Sequence, residues 1–163
     1  MTKVDFGEIL TYNFWGNSLK EYLIAFGIFI LAIAVLKFFK AVIIARVKKL
    51  VNHTETDLDD LIIKILDSVG WPFYFFVSLY LSFLFVQLPE IIKRIGNWFV
   101  LILVIYYITK SVQLLIDYGF EKIVKKKRKS EEKFDPSILE LLSKIIKGIT
   151  WAAAIIIILE NHF

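Results

Sequence analysis

Residues 54–60 read Thr54-Glu55-Thr56-Asp57-Leu58-Asp59-Asp60, four acids in seven positions. Such a cluster can hold a divalent cation, supply a carboxylate pair for acid–base chemistry, or start a helix. A calcium loop needs alternating oxygen ligands, a glycine at its sharp turn and a distal glutamate, yet no glycine lies between Asp57 and Gly70. A catalytic pair needs a pocket that pushes the two carboxyl pKa values apart, and nothing around the cluster suggests one. A helix start fits best. Thr56 and Asp57 can accept hydrogen bonds from the unpaired N–H groups of a first turn, and Thr56-x-x-Asp59 resembles a capping box with Asp in place of Glu. His53 next to the cluster and the distant His162 read as solvated side chains, and the chain has no cysteine. No nucleophile–base pairing and no Gly-rich phosphate loop is present. The expectation is a protein that is not an enzyme, with no catalytic residue, no metal and no cofactor.

The second constellation is cationic. Lys125-Lys126-Lys127-Arg128-Lys129 forms an unbroken basic run, and Lys48-Lys49 closes an earlier basic stretch. Beside a membrane such residues attract anionic lipid headgroups at about 1 kcal/mol each; they also serve as topology signals. Because both runs flank apolar segments, membrane lipids are the expected partner and nucleic acid is not.

The elements that position these residues are apolar throughout. Of the 163 residues 58% are hydrophobic, with a mean hydropathy of +0.66, more than a soluble domain of this size can cover. The excess falls in four runs. They predict spans at about 22–45, 68–89, 96–118 and 138–159, joined by basic links at 46–60 and 119–137. The run 68–89 is 22 residues long and uncharged, or roughly 33 Å as a helix against a hydrocarbon core of about 30 Å. In lipid the backbone must satisfy itself, so the runs are read as helices despite their β-branched content. Residues 1–21 are mixed polar and aromatic and carry no signal-peptide pattern. Sixteen of the twenty Lys and Arg residues fall within 37–64 or 110–147, the two longer links and the span ends that border them, which places both links in the cytoplasm and both termini outside the cell membrane. Tyr12, Trp15 and Trp98 then sit near outer ends and Trp71 and Tyr74 near an inner one.

An internal repeat is also legible. Leu58, Leu61, Ile62, Ile65, Leu66 and Val69 follow helical spacing, and 80 residues on Ile138, Leu141, Leu142, Ile145, Ile146 and Ile149 repeat it. Lys64 aligns with Lys144, Asp60 with Glu140, Trp71 with Trp151, and Lys48-Lys49 with Arg128-Lys129. The second copy has its own cap, Asp135 before Pro136, with Ser137-x-x-Glu140 as an alternative box. The fold expected is all-α: four transmembrane helices built as two parallel two-helix repeats in one helical membrane domain. Gly148 and Ala152 form a small-xxx-small pair at which another helix could approach closely.

The stretches TETDLDDLIIKIL and FDPSILELLSKIIKGITWAAAIIIILENHF, each leading into a span, resemble the membrane portion of small-conductance mechanosensitive (MscS-like) channels. Members with extra spans carry similar acidic caps. The resemblance covers about residues 40–163. It implies a homo-oligomeric, heptameric channel that opens under membrane tension and releases small solutes, its peripheral helices sensing lipid while a separate Gly/Ala-rich helix lines the pore. The sequence ends at Phe163, before such a pore helix and the β-rich cytoplasmic region that would follow. The expectation is therefore the lipid-facing, tension-sensing transmembrane region of such a channel, partnered by copies of itself or by a pore-forming part. The alternative is a non-conducting interaction or regulatory module that binds another membrane protein or anionic lipid.

Overall fold

A computed structural model of the chain describes residues 13–51, 58–130 and 135–161. A small hairpin comes first. Strands β1 (Asn13–Phe14) and β2 (Asn17–Ser18) pair antiparallel, Asn13 opposite Ser18 and Phe14 opposite Asn17. The two-residue loop Trp15-Gly16 has positive φ at both positions, 53° and 81°, the sign pattern of the type I′ turn that matches strand twist. Five helices follow among the described residues: α1 (Leu19–Val51), α2 (Leu58–Ser68), α3 (Trp71–Phe83), α4 (Glu90–Ser130) and α5 (Ser137–Glu160).

The start of α1 is set by a capping box that the sequence carries at Ser18-x-x-Glu21. The Ser18 N–H and hydroxyl donate to Glu21 Oε2 at 2.6 and 2.9 Å, and the Glu21 N–H donates back to Ser18 Oγ at 3.3 Å, so two otherwise orphaned donors are satisfied reciprocally. Basic residues close the two long helices, Lys48 and Lys49 on α1 and Lys127, Arg128 and Lys129 on α4, where the helix dipole favours cations.

The described residues form two compact units, 13–43 with 70–100 and 44–69 with 101–161. In the first, α3 turns Tyr74, Ser78 and Ser82 inward, one face at four-residue spacing. Phe75 meets Phe29 of α1 edge to face at 5.5 Å, and Phe76 meets Phe99 of α4 at 4.5 Å. The Ser82 hydroxyl donates to the Leu79 carbonyl at 2.7 Å. Ser78 is 0% exposed and its hydroxyl has no partner. Because that hydroxyl satisfies nothing, Ser78→Ala is expected to leave stability within about 0.5 kcal/mol, whereas Ser78→Leu overpacks the site at a cost of about 1–3 kcal/mol; reversible unfolding in micelles measures both.

In the second unit, α2 buries Leu61, α4 buries Tyr107 and Thr109, and α5 buries Ser143 and Ala154. Tyr106 lies 6.0 Å from Trp151 of α5.

Three helices, Leu19–Lys49, Glu90–Lys129 and Ser137–Glu160, are long and apolar enough to cross a membrane. Among the described residues the fold is all-helical but for the hairpin, and its long apolar helices are compatible with a multi-pass membrane protein. The second expected span differs from the reading of 68–89 as one helix. α3 covers only Trp71–Phe83, about 20 Å at 1.5 Å per residue, too short to cross a hydrocarbon core of about 30 Å by itself and long enough only when taken together with α2 as a bent pair. The break has a local cause: Gly70 is extended (φ −76°, ψ 170°) and Pro72 lies in the first turn of α3, where its missing N–H costs nothing. At the far end Leu84, Phe85 and Val86 bond three residues back, and Pro89 follows. Helix α4 begins at Glu90 rather than near 96, and helix rather than loop carries Lys93 and Arg94. Most of the expected links 46–60 and 119–137 is helical as well, through Val51 of α1 and Ser130 of α4.

Candidate functional site

Of the residues expected to cap helix starts, Thr56 and Asp57 lie outside the described residues, as do most of the acidic cluster and both histidines. Asp135 and Ser137 are described. The Ser137 N–H donates to Asp135 Oδ1 at 2.9 Å, and the Glu140 N–H donates to the Pro136 carbonyl at 3.0 Å, so Asp135 satisfies an orphan donor of the first turn of α5. Hydrogen bonds from the Ser137 hydroxyl and then its backbone N–H hold the Asp135 carboxyl below its usual value. A depressed carboxyl stabilises the folded form above its unfolded value of about 3.9 and loses that contribution as pH falls through the lower folded value. Hydrogen-exchange protection at the amides of residues 137–140 is therefore expected to fall in that acid window, and not in Asp135→Asn.

The charged residues of the second unit converge between α4 and the first half of α5. A cleft of about 370 Å³ is lined by Asp117, Glu121, Lys125 and Arg128 of α4 and by Glu140, Ser143, Lys144 and Lys147 of α5, with Phe120, Val124 and Leu139 as its apolar floor. Asp117, Glu121 and Lys125 are four residues apart and so share one helix face. Lys147 Nζ donates to Asp117 Oδ1 at 2.5 Å, with both side chains partly exposed. In water such a pair contributes about 0–1 kcal/mol. The same row of α4 also borders a second cleft of about 310 Å³, lined by Asp60, Leu61 and Lys64 of α2 together with Leu114 and Tyr118. Asp60 and Lys64 on one side and Glu140 and Lys144 on the other thus flank one acidic-to-basic row of α4.

Two further contacts join residues of the second unit. Lys110 Nζ donates to the Ser68 carbonyl at 3.2 Å, a cation on the last residue of α2, where carbonyls are left unpaired. Lys122 Nζ lies 5.8 Å from the centre of the Tyr118 ring, within cation–π range.

The site thus gathers part of the expected headgroup set. Lys125 and Arg128 line the first cleft, whereas Lys126, Lys127 and Lys129 are exposed on α4 and Lys48 and Lys49 are exposed on the last turn of α1, none of them lining it. Lys147, counted from the sequence among the basic topology signals, and Lys144, counted there and also aligned with Lys64, are cleft residues. Gly148 and Ala152 are exposed, and a Cβ at Gly148 would meet nothing within 4 Å. Small residues that are packed inside the chain include Ser78 and Ser82, a four-residue pair equally visible in the sequence.

The outward face of α5 is the apolar one. Ile138, Leu141, Leu142, Ile145, Ile149, Ile155, Ile156 and Leu159 are exposed, while Ser143 is buried and Lys147 and Thr150 are partly covered. Of the most apolar stretch of each candidate span, 0% is buried in α1, 17% in α4 and 11% in α5.

Chemically, the cleft sets four cations, Lys125, Arg128, Lys144 and Lys147, against three carboxylates, Asp117, Glu121 and Glu140, with Lys147 paired to Asp117, beside an exposed apolar stripe. Among the described residues no group of three or more His, Asp or Glu side chains is placed to hold a metal ion. No family model matches the chain, and no curated protein or solved structure matches it either.

Proposed function

We propose that the chain is the lipid-facing, tension-sensing transmembrane region of an MscS-like mechanosensitive channel in the cell membrane. In this reading it crosses four times, α2 and α3 together forming the second crossing, with both termini outside and the basic helix ends in the cytoplasm. It consists of two parallel repeats and works as a homo-oligomer or beside a pore-forming part. The observation that carries the reading is the inverted amphipathicity of α5, polar residues inward against α4 and an apolar stripe outward from Ile138 to Leu159. That arrangement is favourable only where the surrounding solvent is apolar.

Helices exposed along their length respond to bilayer thickness and lateral packing, since mismatch costs fractions of a kcal/mol per Å and biases one arrangement over another. Patch-clamp recording of the chain joined to a pore-forming segment tests this. Tension-gated current is expected, and it is expected to be lost or shifted to higher tension when residues 54–147 are scrambled. Gating and assembly that survive the scramble unchanged would sink the proposal.

The alternative, a non-conducting module that binds anionic lipid, is favoured by the cleft holding Lys125, Arg128, Lys144 and Lys147. At about 1 kcal/mol per basic residue, Lys125→Gln with Arg128→Gln is expected to weaken binding to phosphatidylglycerol vesicles by roughly tenfold or more, most clearly at low salt. Equal binding by parent and variant would count against a headgroup role for the cleft.

A further inference from the structure

The hairpin loop is built from the wrong residue for its turn. A two-residue loop with positive φ at both positions is the ordinary place for Asn-Gly or Asp-Gly, because Asn and Asp tolerate the left-handed region and bulky residues do not. Here the first position is Trp15, at φ 53°, followed by Gly16 at 81°. The strain of a bulky residue in that region calls for a compensating role for the side chain. Among the described residues no further packing role is visible: Trp15 is 73% exposed and Phe14 is 60% exposed, their rings stacked at 6.1 Å and 13°. The tip is nevertheless firmly mounted. Asn17, 1% exposed, donates from Nδ2 to the Trp15 carbonyl at 3.2 Å, and the Tyr22 hydroxyl donates to the Phe14 carbonyl at 3.1 Å. The hairpin ends at Ser18, and the candidate span of α1 begins at Leu19.

We infer that the Phe14–Trp15 tip is a lipid-interface anchor: a held pair of aromatic rings that inserts among the headgroups and upper acyl chains of the bilayer where α1 enters it. The occupant follows from position and chemistry. A tryptophan one helical turn from the apolar band lies at headgroup level, where an apolar ring with one N–H donor is most favourably placed. The inference rests on α1 crossing the membrane, as proposed above. Tension that thins or spreads the leaflet then acts directly on the hairpin.

The test uses the full chain in phosphatidylcholine vesicles, with acyl chains brominated either near the headgroup or near the chain end. Of the four tryptophans, one variant keeps only Trp15 and another only Trp151, the rest being changed to Phe. Trp15 emission is expected to be blue-shifted from that of tryptophan in buffer and quenched more by shallow than by deep bromines. Trp15→Asn in the otherwise native chain keeps a residue suited to positive φ; it is expected to preserve the fold and to remove that shallow-quenched component from the spectrum. The anchor is overturned if Trp15 emits as in water, if deep bromines quench it more, or if it is blue-shifted but bromine-insensitive, which would mean cover by protein. In each of those cases quenching of Trp151 leaves the membrane reading standing. If neither tryptophan is quenched, the spanning reading falls and the anchor with it.

Discussion

Ile155→Arg is expected to destabilise α5 in a bilayer by more than about 1 kcal/mol but by less than the roughly 2.5–3.5 kcal/mol an arginine costs at the centre of a membrane helix, because Ile155 lies five residues from the helix end at Glu160, close enough for the arginine to snorkel. Ile155 lies inside the uncharged stretch from Gly148 to Leu159, and it is 53% exposed. On a surface facing water, substitution at an exposed position changes stability by no more than about 0.5 kcal/mol. The two solvents therefore differ in the outcome of one substitution. Lys144→Arg, in the charged half of the same helix, preserves charge outside the apolar stretch and serves as the matched control. Insertion efficiency of α5, read from a glycosylation-site reporter placed after it, measures the effect directly. Equal insertion of Ile155→Arg and parent would remove the lipid-facing interpretation of the stripe, because no desolvation cost would then attach to that face.

The same helix marks what a sequence can and cannot disclose. The spacing Ile138, Leu141, Leu142, Ile145 and Ile149 identifies residues that share a face. It does not identify which way that face points, since periodicity is blind to the solvent outside. Only the excess of apolar residues over what a water-soluble surface can carry points to lipid, and with lipid outside the polar stripe turns inward, as Ser143 and Lys147 do. For α2 and α3 the sequence held both break signals, Gly70 and Pro72, but the uncharged run 68–89 outweighed them, because hydropathy counts composition and ignores backbone conformation. The basic run Lys125–Lys129 was legible as a charge cluster. The cleft it borders was not, since Lys144, Lys147 and Asp117 meet only after two helices pack together. The capping box Ser18-x-x-Glu21 has the S-x-x-E pattern but goes unread within the mixed polar and aromatic stretch 1–21. The long-range contact of the residue next to it, Asn17, has no sequence pattern at all.

Asn17→Ala is the second large expected effect, a loss of about 1–3 kcal/mol in reversible unfolding. The side chain is 1% exposed and joins positions 70 residues apart: Nδ2 donates to the Gln87 carbonyl at 2.9 Å, and Oδ1 accepts the Gln87 N–H at 2.6 Å. This two-way bond occupies main-chain groups that a continuing helix would have used, and α3 has already ended at Phe83. Truncation to alanine leaves a backbone donor and acceptor without their partners in the turn before α4. Unsatisfied groups cost about 1–3 kcal/mol each when water cannot replace the partner; Gln87 is itself exposed, so water recovers part of the loss and the lower single-group range applies. Because Asn17 recognises only the backbone at this position, Gln87→Ala is expected to stay within about 0.5 kcal/mol of the parent. The contrast carries the test. Similar losses for Asn17→Ala and Gln87→Ala would mean that the Gln87 side chain, and not the main-chain clamp, holds the hairpin to the turn. A full loss for Asn17→Ala alone assigns the junction to that one amide.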